Sequence, residues 1–491
     1  MKYHFLALPL FLLGSPVLAQ MVPIERASPP AATQVVPATP PPPLVPTLTP
    51  PPPIALPMLS ATQIAWATAW LSGGREQGLS IDKDVIGNVA SAPSGEALVR
   101  AVLDRARALR TGRVDTADFL DIWAVRPAAF DPLPGFAAAV AADRLSQWAA
   151  SLTPRYAGYE GLRTGLKTYE ALRDAGGWKL LTAKSDAASV RARLAVEDKG
   201  VASAEPLVAA LQRAQRRYGL NPTGTLDART LKELNVTVDD RIGAIMANME
   251  RWRWMPRELA VNRVQVNIAA AVLTVFEGDV PIASMRAVTG SPANATPMLT
   301  SNIHSIVLNP PWNVPASIAK RELWPKGRAA LLREGYKIVG TPETGERIVQ
   351  PAGPNAALGL LKFDFDNPFA VYLHDTPSRA KFASYDRLAS HGCIRLEKPL
   401  PLAELMLKGD PKLSGQVEAL IATGRTQRVQ LPTKVAVYLL YWTAFSSANG
   451  AMNFRGDPYG WDKLLATKIV AAGNRAAATQ MVTNTLRTPG K

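Results

Sequence analysis

Cys393 is the only cysteine among 491 residues, and two of the four histidines, His374 and His391, lie within nineteen residues of it. The first run reads Val371-Tyr372-Leu373-His374-Asp375-Thr376-Pro377; fifteen residues separate His374 from Ser390, where Ser390-His391-Gly392-Cys393-Ile394-Arg395-Leu396 begins. A thiol with an ordinary pKa of about 8.5 is only a few per cent thiolate at neutral pH, so nucleophilic use requires a base or a cation beside it. Histidine suits that task. His374 ends an apolar stretch that reads as a strand, a rigid element from which its ring reaches a cysteine returning on an adjacent loop. Asp375 supplies either a backbone carbonyl or a carboxylate to orient the ring. Gly392 permits unusual dihedrals and close approach, so the N–H groups of Gly392 and Cys393 are expected to face a developing oxyanion. His391, Gly392, Asp375, Ser390 and Arg395 form the expected set of supporting or oxyanion-stabilising residues around Cys393 and His374.

Zinc is the competing reading of the same side chains, since His374, Asp375, His391 and Cys393 are all possible ligands. The chain has no His-Glu-x-x-His pair and no second cysteine, and a cysteine held in a closed metal site is no nucleophile. Neither a metal nor an organic cofactor is therefore expected. His304, Asp364 and Asp366 read as structural or surface groups.

The elements that must hold this site come into view upstream. Val264, Val266 and Ile268 alternate, Ala271 to Phe276 follows as a second strand, Glu277-Gly278-Asp279 turns, and Ile282 to Thr289 makes a third. Further strands are predicted at Ser305 to Leu308, Ala370 to His374 and Arg428 to Tyr441, with helices at Arg328 to Glu334 and Leu402 to Leu407. A mainly β domain with helical insertions is expected over 259–465, followed by a tail over 466–491.

Before it the period is helical. Ser60 and Gln63 fit a capping box and Gly73-Gly74 stops the segment; Ser94 caps a second helix that Gly112 ends. Phe119 to Trp123, Phe136 to Leu152 and Tyr159 to Leu172 are predicted to continue in the same style, giving a helical domain over 59–195. A compact helical pair fills 203–238, where Leu207, Leu211, Ala214 and Tyr218 share one face, and a further helix ends at Trp252-Arg253-Trp254.

The first twenty residues look like an export signal, with Lys2, an apolar run from Phe5 to Leu13 and a small-residue cleavage site at Val17-Leu18-Ala19. A cleaved signal peptide over 1–19 and a soluble mature protein outside the cytoplasm, without membrane insertion, are expected. Residues 22–58 hold fourteen of the 42 prolines, which makes 20–58 an extended linker. The net charge of +15 draws the chain toward polyanions. No basic block exceeds two residues and no zinc-finger or aromatic-basic stripe is present, so nucleic acid is not the expected partner.

Histidine, about fifteen residues, then Ser-His-Gly-Cys resembles the L,D-transpeptidase catalytic domain. The likeness extends through Asn309-Pro310-Pro311-Trp312-Asn313-Val314-Pro315, Gln350-Pro351-Ala352-Gly353-Pro354, Tyr441-Trp442-Thr443 and Asn453-Phe454-Arg455. The string Leu211-Gln212, Gly219-Leu220, Thr223 to Asp227, Thr230-Leu231 and Leu234 resembles the small three-helix peptidoglycan-binding module. The whole order is similar to the large periplasmic L,D-transpeptidases of Gram-negative bacteria. That resemblance implies a multidomain α+β protein: a helical scaffold domain, a small peptidoglycan-binding domain and a mainly β catalytic domain. It implies Cys393 as nucleophile, His374 as proton acceptor and donor, and the carbonyl after His374 as the group that orients the ring. His391 either tunes the thiolate or supports the loop. Arg395, where many smaller members carry asparagine, holds the loop or meets a substrate carboxylate. Peptidoglycan stem peptides are the implied substrate, 3-3 crosslinks the implied product, and carbapenem β-lactams the implied inhibitors. A thiol hydrolase or carboxypeptidase, or a non-catalytic wall-binding protein, is the alternative.

Overall fold

The computed structural model describes residues 55–79, 95–201, 204–469, 471 and 472. The expected signal peptide, the expected linker up to residue 54, the Ser94 cap and the expected tail beyond residue 472 lie outside the described residues. Those from 55 onward belong to one compact unit. Among them no helix is long and apolar enough to cross a membrane.

The helical part opens with α1 (Ala61–Ser72), whose Ser60 and Gln63 form the expected reciprocal box, with bonds of 3.1 and 3.3 Å. It continues through α2 (Gly95–Thr111), α3 (Leu133–Ala141), α4 (Leu145–Ala150), α5 (Ala157–Asp174) and α6 (Ala187–Glu197). Two expectations fail here. The helix predicted over Phe136 to Leu152 is broken at Asp143, which takes φ 54°, a left-handed turn that aspartate tolerates. Its carboxylate accepts a bond from the Gln63 amide at 3.2 Å. The segment from Phe119 to Trp123 is not helical: Trp123 forms a parallel bridge with Met298, and Ala124 donates to the Met298 carbonyl at 2.8 Å. Its aromatics decide this, because Phe119 and Trp123 stack into Trp254 at centroid distances of 4.6 and 5.7 Å, and tertiary burial outweighs local propensity.

The compact pair is α7 (Leu207–Arg217) and α8 (Ala228–Leu234), with Gly219 at φ 68° ending the first and Asp227 capping the second. The long α9 (Val238–Trp254) runs through the middle, and its last five residues are all buried, charged ones included. Each buried charge is paired. Arg253 meets Glu250 at 3.0 Å with both side chains fully buried, Arg251 meets Asp462 at 2.6 Å, and Asn248 donates to Thr443 at 2.7 Å. Removing one partner of such a pair costs about 3–5 kcal/mol, so α9 locks the helical part to the sheet in one geometry.

The sheet domain consists of β1 (Asn262–Asn267), β2 (Val272–Glu277), β3 (Val280–Gly290), β4 (Leu299–Leu308), β5 (Trp312–Asn313), β6 (Lys337–Val339), β7 (Arg347–Gln350), β8 (Leu361–Phe365), β9 (Leu373–His374), β10 (Leu388–Ser390), β11 (Ile394–Leu396) and β12 (Gln427–Leu440). A β13 (Ala444–Ser446) and β14 (Met452–Phe454) hairpin follows. Pairing runs β1-β2-β3-β11-β9-β8-β4-β12 and returns from β12 to β1, so the strands close a ring, with β10 alongside the end of β3. Closure leaves no long free edge. Val264, Leu273, Ile303, Phe363, Leu373, Ile394 and Val437 fill the inside with no exposed surface. The same core extends to Tyr159, Leu211 and Leu234, so scaffold, helical pair and sheet share buried contacts.

The strand predicted over Ala370 to His374 shrinks to its last two residues. Asn367 holds the preceding loop instead, accepting from the Phe369 and Val371 N–H groups at 3.1 Å each, and Ala370 turns through φ 52°. Between β4 and β8 an insertion builds its own small core from Val314, Ile318, Leu323, Leu331 and Ile348, around a sheet in the order β5-β7-β6.

Candidate active site

β9 lies between β8 and β11, and this placement assembles the chemistry. β9 and β11 are parallel with Leu373 opposite Ile394 and His374 opposite Arg395, and the Ile394 N–H donates to the Tyr372 carbonyl at 3.1 Å. On the other side Lys362 stands opposite His374. Because Phe363, Leu373 and Ile394 point into the core, alternation puts Lys362, Tyr372, His374, Cys393 and Arg395 on the outer face. Cys393 and His374 are thus diagonal neighbours on one face of this parallel pair. The two runs singled out in the sequence pair strand to strand.

His374 is only 4% exposed, and its Nδ1 lies 2.5 Å from the Asp375 carbonyl oxygen. A carbonyl only accepts, so Nδ1 carries the proton and Nε2 the lone pair. The carboxylate of Asp375 is engaged elsewhere, accepting from the Leu360 N–H at 2.9 Å and pairing with Arg379 at 3.0 Å. Of the two Asp375 groups expected to orient the ring, the backbone carbonyl does so. Gly359, at φ 61°, serves this arrangement, since a Cβ there would sit 2.4 Å from the Asp375 carboxylate.

Ser390 staples the loop that carries Cys393: its hydroxyl donates to the Cys393 carbonyl at 2.6 Å and accepts from the Gly392 N–H at 3.1 Å. The Gly392 N–H, expected to face an oxyanion, is therefore occupied, and that expectation narrows to the Cys393 N–H. Gly392 itself takes φ 111°, where a side chain is strained. Its carbonyl accepts from the Thr296 hydroxyl at 2.8 Å; the same hydroxyl accepts from the Gly290 N–H at 2.8 Å, and the Thr296 N–H donates to the Tyr459 hydroxyl at 3.2 Å.

Residues 261–460 match the family model of the L,D-transpeptidase catalytic domain, YkuD, and residues 97–166 that of the scaffold domain. Over those 200 residues the chain is similar to the YkuD-type L,D-transpeptidase catalytic domain. It is also 30% identical over 253 residues to a Haemophilus influenzae protein named, provisionally, as an L,D-transpeptidase, which covers 48% of this chain and 50% of that one. The chain thus spans about half the length of the curated relative it matches. Among solved structures it is similar to an L,D-transpeptidase from Mycobacterium smegmatis, 16% identical over 37% of this chain and 59% of that one, with a TM-score of 0.20. Another is the Enterococcus faecium L,D-transpeptidase catalytic domain acylated by ertapenem, 11% identical over 37% and 99%, with a TM-score of 0.19.

Around Cys393 and His374 the electrostatics oppose charge separation. Burial, then the nearby Arg395 cation, push the His374 imidazole down to about 3, although the Asp375 and Leu358 carbonyls favour its protonated form. Burial likewise pushes the Cys393 thiol up, against hydrogen bonds from Tyr372 and the cations Lys362 and Arg395. The resting pair is a neutral thiol beside a neutral imidazole, so proton transfer belongs to the reaction step. No hydrogen bond between thiol and ring is present among the described residues; such contacts commonly tighten only when substrate is bound.

His391 pairs through Nε2 with Glu322 of the insertion at 2.9 Å, which ties the loop to that lobe. His304 lies 3.6 Å from Asp366, while Asp364 binds Lys362 and Arg428 at 2.7 and 2.8 Å. Among the described residues no three His, Cys, Asp or Glu side chains converge as a metal site would require. Sequence reasoning missed Thr296, Tyr459, Lys362 and Tyr372. Only Tyr372 left a readable sign, two residues before His374 in the run that the sequence reads as a strand.

Proposed function

We propose that this protein is a cysteine-dependent L,D-transpeptidase that forms 3-3 peptidoglycan crosslinks, with tetrapeptide stems as acyl donors. The observation that carries this reading is the parallel pairing of β9 with β11, which brings His374 and Cys393 to one outer face within the matched domain. In the proposed first step the Cys393 sulfur bonds to the carbonyl carbon of the third stem residue while its proton passes to His374 Nε2. The tetrahedral oxyanion collapses, the carbon–nitrogen bond to terminal D-alanine breaks, and Nε2 returns the proton to the leaving nitrogen. The amine of a second stem then attacks the thioester, its proton returns through His374 to sulfur, and the crosslinked peptide departs. Export to the periplasm, recruitment to the wall by residues 203–238, and acylation of Cys393 by carbapenems belong to the same reading.

Purified tetrapeptide muropeptides with mass analysis of products test it. A crosslinked dimer with free D-alanine is expected, and a Cys393→Ala variant should form neither the dimer nor a covalent carbapenem adduct. Trimmed monomers alone would make the protein a carboxypeptidase. Stoichiometric acylation of Cys393→Ala would remove Cys393 as the nucleophile.

A further inference from the structure

The cations around the thiol differ in one respect. Lys362 is held by Asp364 at 2.7 Å, Arg428 by the same carboxylate at 2.8 Å, and Arg379 by Asp375 at 3.0 Å. Arg395 has no hydrogen bond or ion pair among the described residues, and its Nε is buried with no acceptor. Arg395 is only partly buried and just its Nε lacks both solvent and an acceptor, so its terminal nitrogens are open to an anionic ligand, to which a charge-assisted hydrogen bond is about twice as strong as a neutral one.

Its position identifies that ligand. Arg395 is two residues beyond Cys393 on the same face of β11 and directly opposite His374, which places it about 6.6 Å along the strand from the nucleophile. A donor stem cut one residue from its end carries a free carboxylate one residue, about 3.8 Å between Cα atoms, past the scissile carbonyl. The planar fork of a guanidinium accepts such a carboxylate through two parallel bonds.

We propose that Arg395 binds the free terminal carboxylate of the acyl donor and thereby selects stems that end one residue beyond the scissile carbonyl. The proposal rests on the transpeptidase reading above and names the feature of the donor that the site requires. A cation that served only the thiolate would treat acidic and neutral leaving groups alike.

The test compares a tetrapeptide stem with the same stem ending in a carboxamide, using the full chain and the kcat/KM for release of the terminal residue. Native protein should prefer the free acid by roughly 10–100-fold, the range of one charged hydrogen-bonded contact. Arg395→Gln should bring that ratio close to one, and Arg395→Lys, which keeps the charge and loses the fork, should fall between. Equal use of both stems by the native protein, or an unchanged ratio in Arg395→Gln, overturns the proposal while leaving the transpeptidase reading intact. Turnover of neither stem by the native protein overturns that reading, and the proposal with it. Because the readout is a ratio within each variant, a general loss of activity from altered folding or thiolate stability does not imitate the expected result.

Discussion

At the scale of single residues, the proposed chemistry turns on a histidine kept neutral by its surroundings. A group whose folded pKa, about 3 for His374, lies below its ordinary value near 6.5 binds more protons unfolded than folded between those limits. The folded state therefore loses stability as pH falls from about 6.5 toward 3, and His374→Ala should remove that component. Denaturant midpoints at pH 7 and pH 4.5 check this: the variant's drop between them should be smaller than the parent's. Glu197, held down to about 2 by Arg193 and Arg241 against its burial, loses its contribution in acid in both proteins and cancels from the comparison. The same substitution should slow carbapenem acylation by ~100-fold or more, for want of the proton acceptor. It should also move the rise of rate with pH to above about 8.5, because burial raises the unassisted thiol. A pH profile unchanged by His374→Ala and shifted by His391→Ala would make His391 the base in place of His374.

Elements decide how rigidly the thiol is presented. The Cys393 loop is fixed from three directions: by Ser390 within the turn, by Thr296 from the loop between β3 and β4, and by Tyr459, which donates to the Gly290 carbonyl at 2.7 Å and stacks on Tyr441 at 5.1 Å. Thr296 is fully buried, so Thr296→Val leaves the Gly392 carbonyl and the Gly290 N–H without partners at a cost of about 1–3 kcal/mol. Acylation by a carbapenem should fall by ~10–100-fold through misplacement of the loop, and Thr296→Ser, which restores the hydroxyl, should recover most of the rate. Equal losses in both variants would mean that volume, not the hydrogen bond, is what matters at this position. The contrast with Cys393 explains what a sequence can disclose. The thiol, His374 and Gly392 were legible because residue type and spacing are themselves the signal. Thr296 and Tyr459 stand 97 and 66 residues from the thiol, and nothing in their own neighbourhoods marks them before β3, β10 and the C-terminal segment are brought together. Phe119 to Trp123 was misread for a related reason, since its conformation is set by Trp254 and Met298, partners that local periodicity cannot name.

Taken as a whole molecule, the helical pair over 203–238 is bound more tightly into the structure than a tethered module would be. Tyr218 shares the buried Glu197 carboxylate with Tyr169, Arg455 donates from the C-terminal segment to the Arg217 carbonyl at 2.7 Å, and Leu211 and Leu234 join the common core. Deleting the pair would strip buried surface from the scaffold and the sheet alike, and the loss of wall binding could not be told from loss of folding. Surface charge offers the cleaner test, because Arg216, Arg229 and Lys232 are exposed on this pair and belong to a chain of net charge +15. The triple variant Arg216→Glu, Arg229→Glu, Lys232→Glu changes the field of that face by six charge units while leaving the core residues untouched. If these helices recruit the protein to an anionic wall polymer, sedimentation with insoluble sacculi should drop several-fold at low salt. The difference from the parent should shrink as ionic strength approaches 1 M, where the Debye length is about 3 Å. Turnover of small soluble stems should stay within about twofold of the parent, since the substituted side chains lie on helices remote in sequence from β9 and β11. Unchanged sedimentation at every salt concentration would make the pair a structural spacer between scaffold and catalytic domain, and would place the affinity for the wall on another face of the molecule.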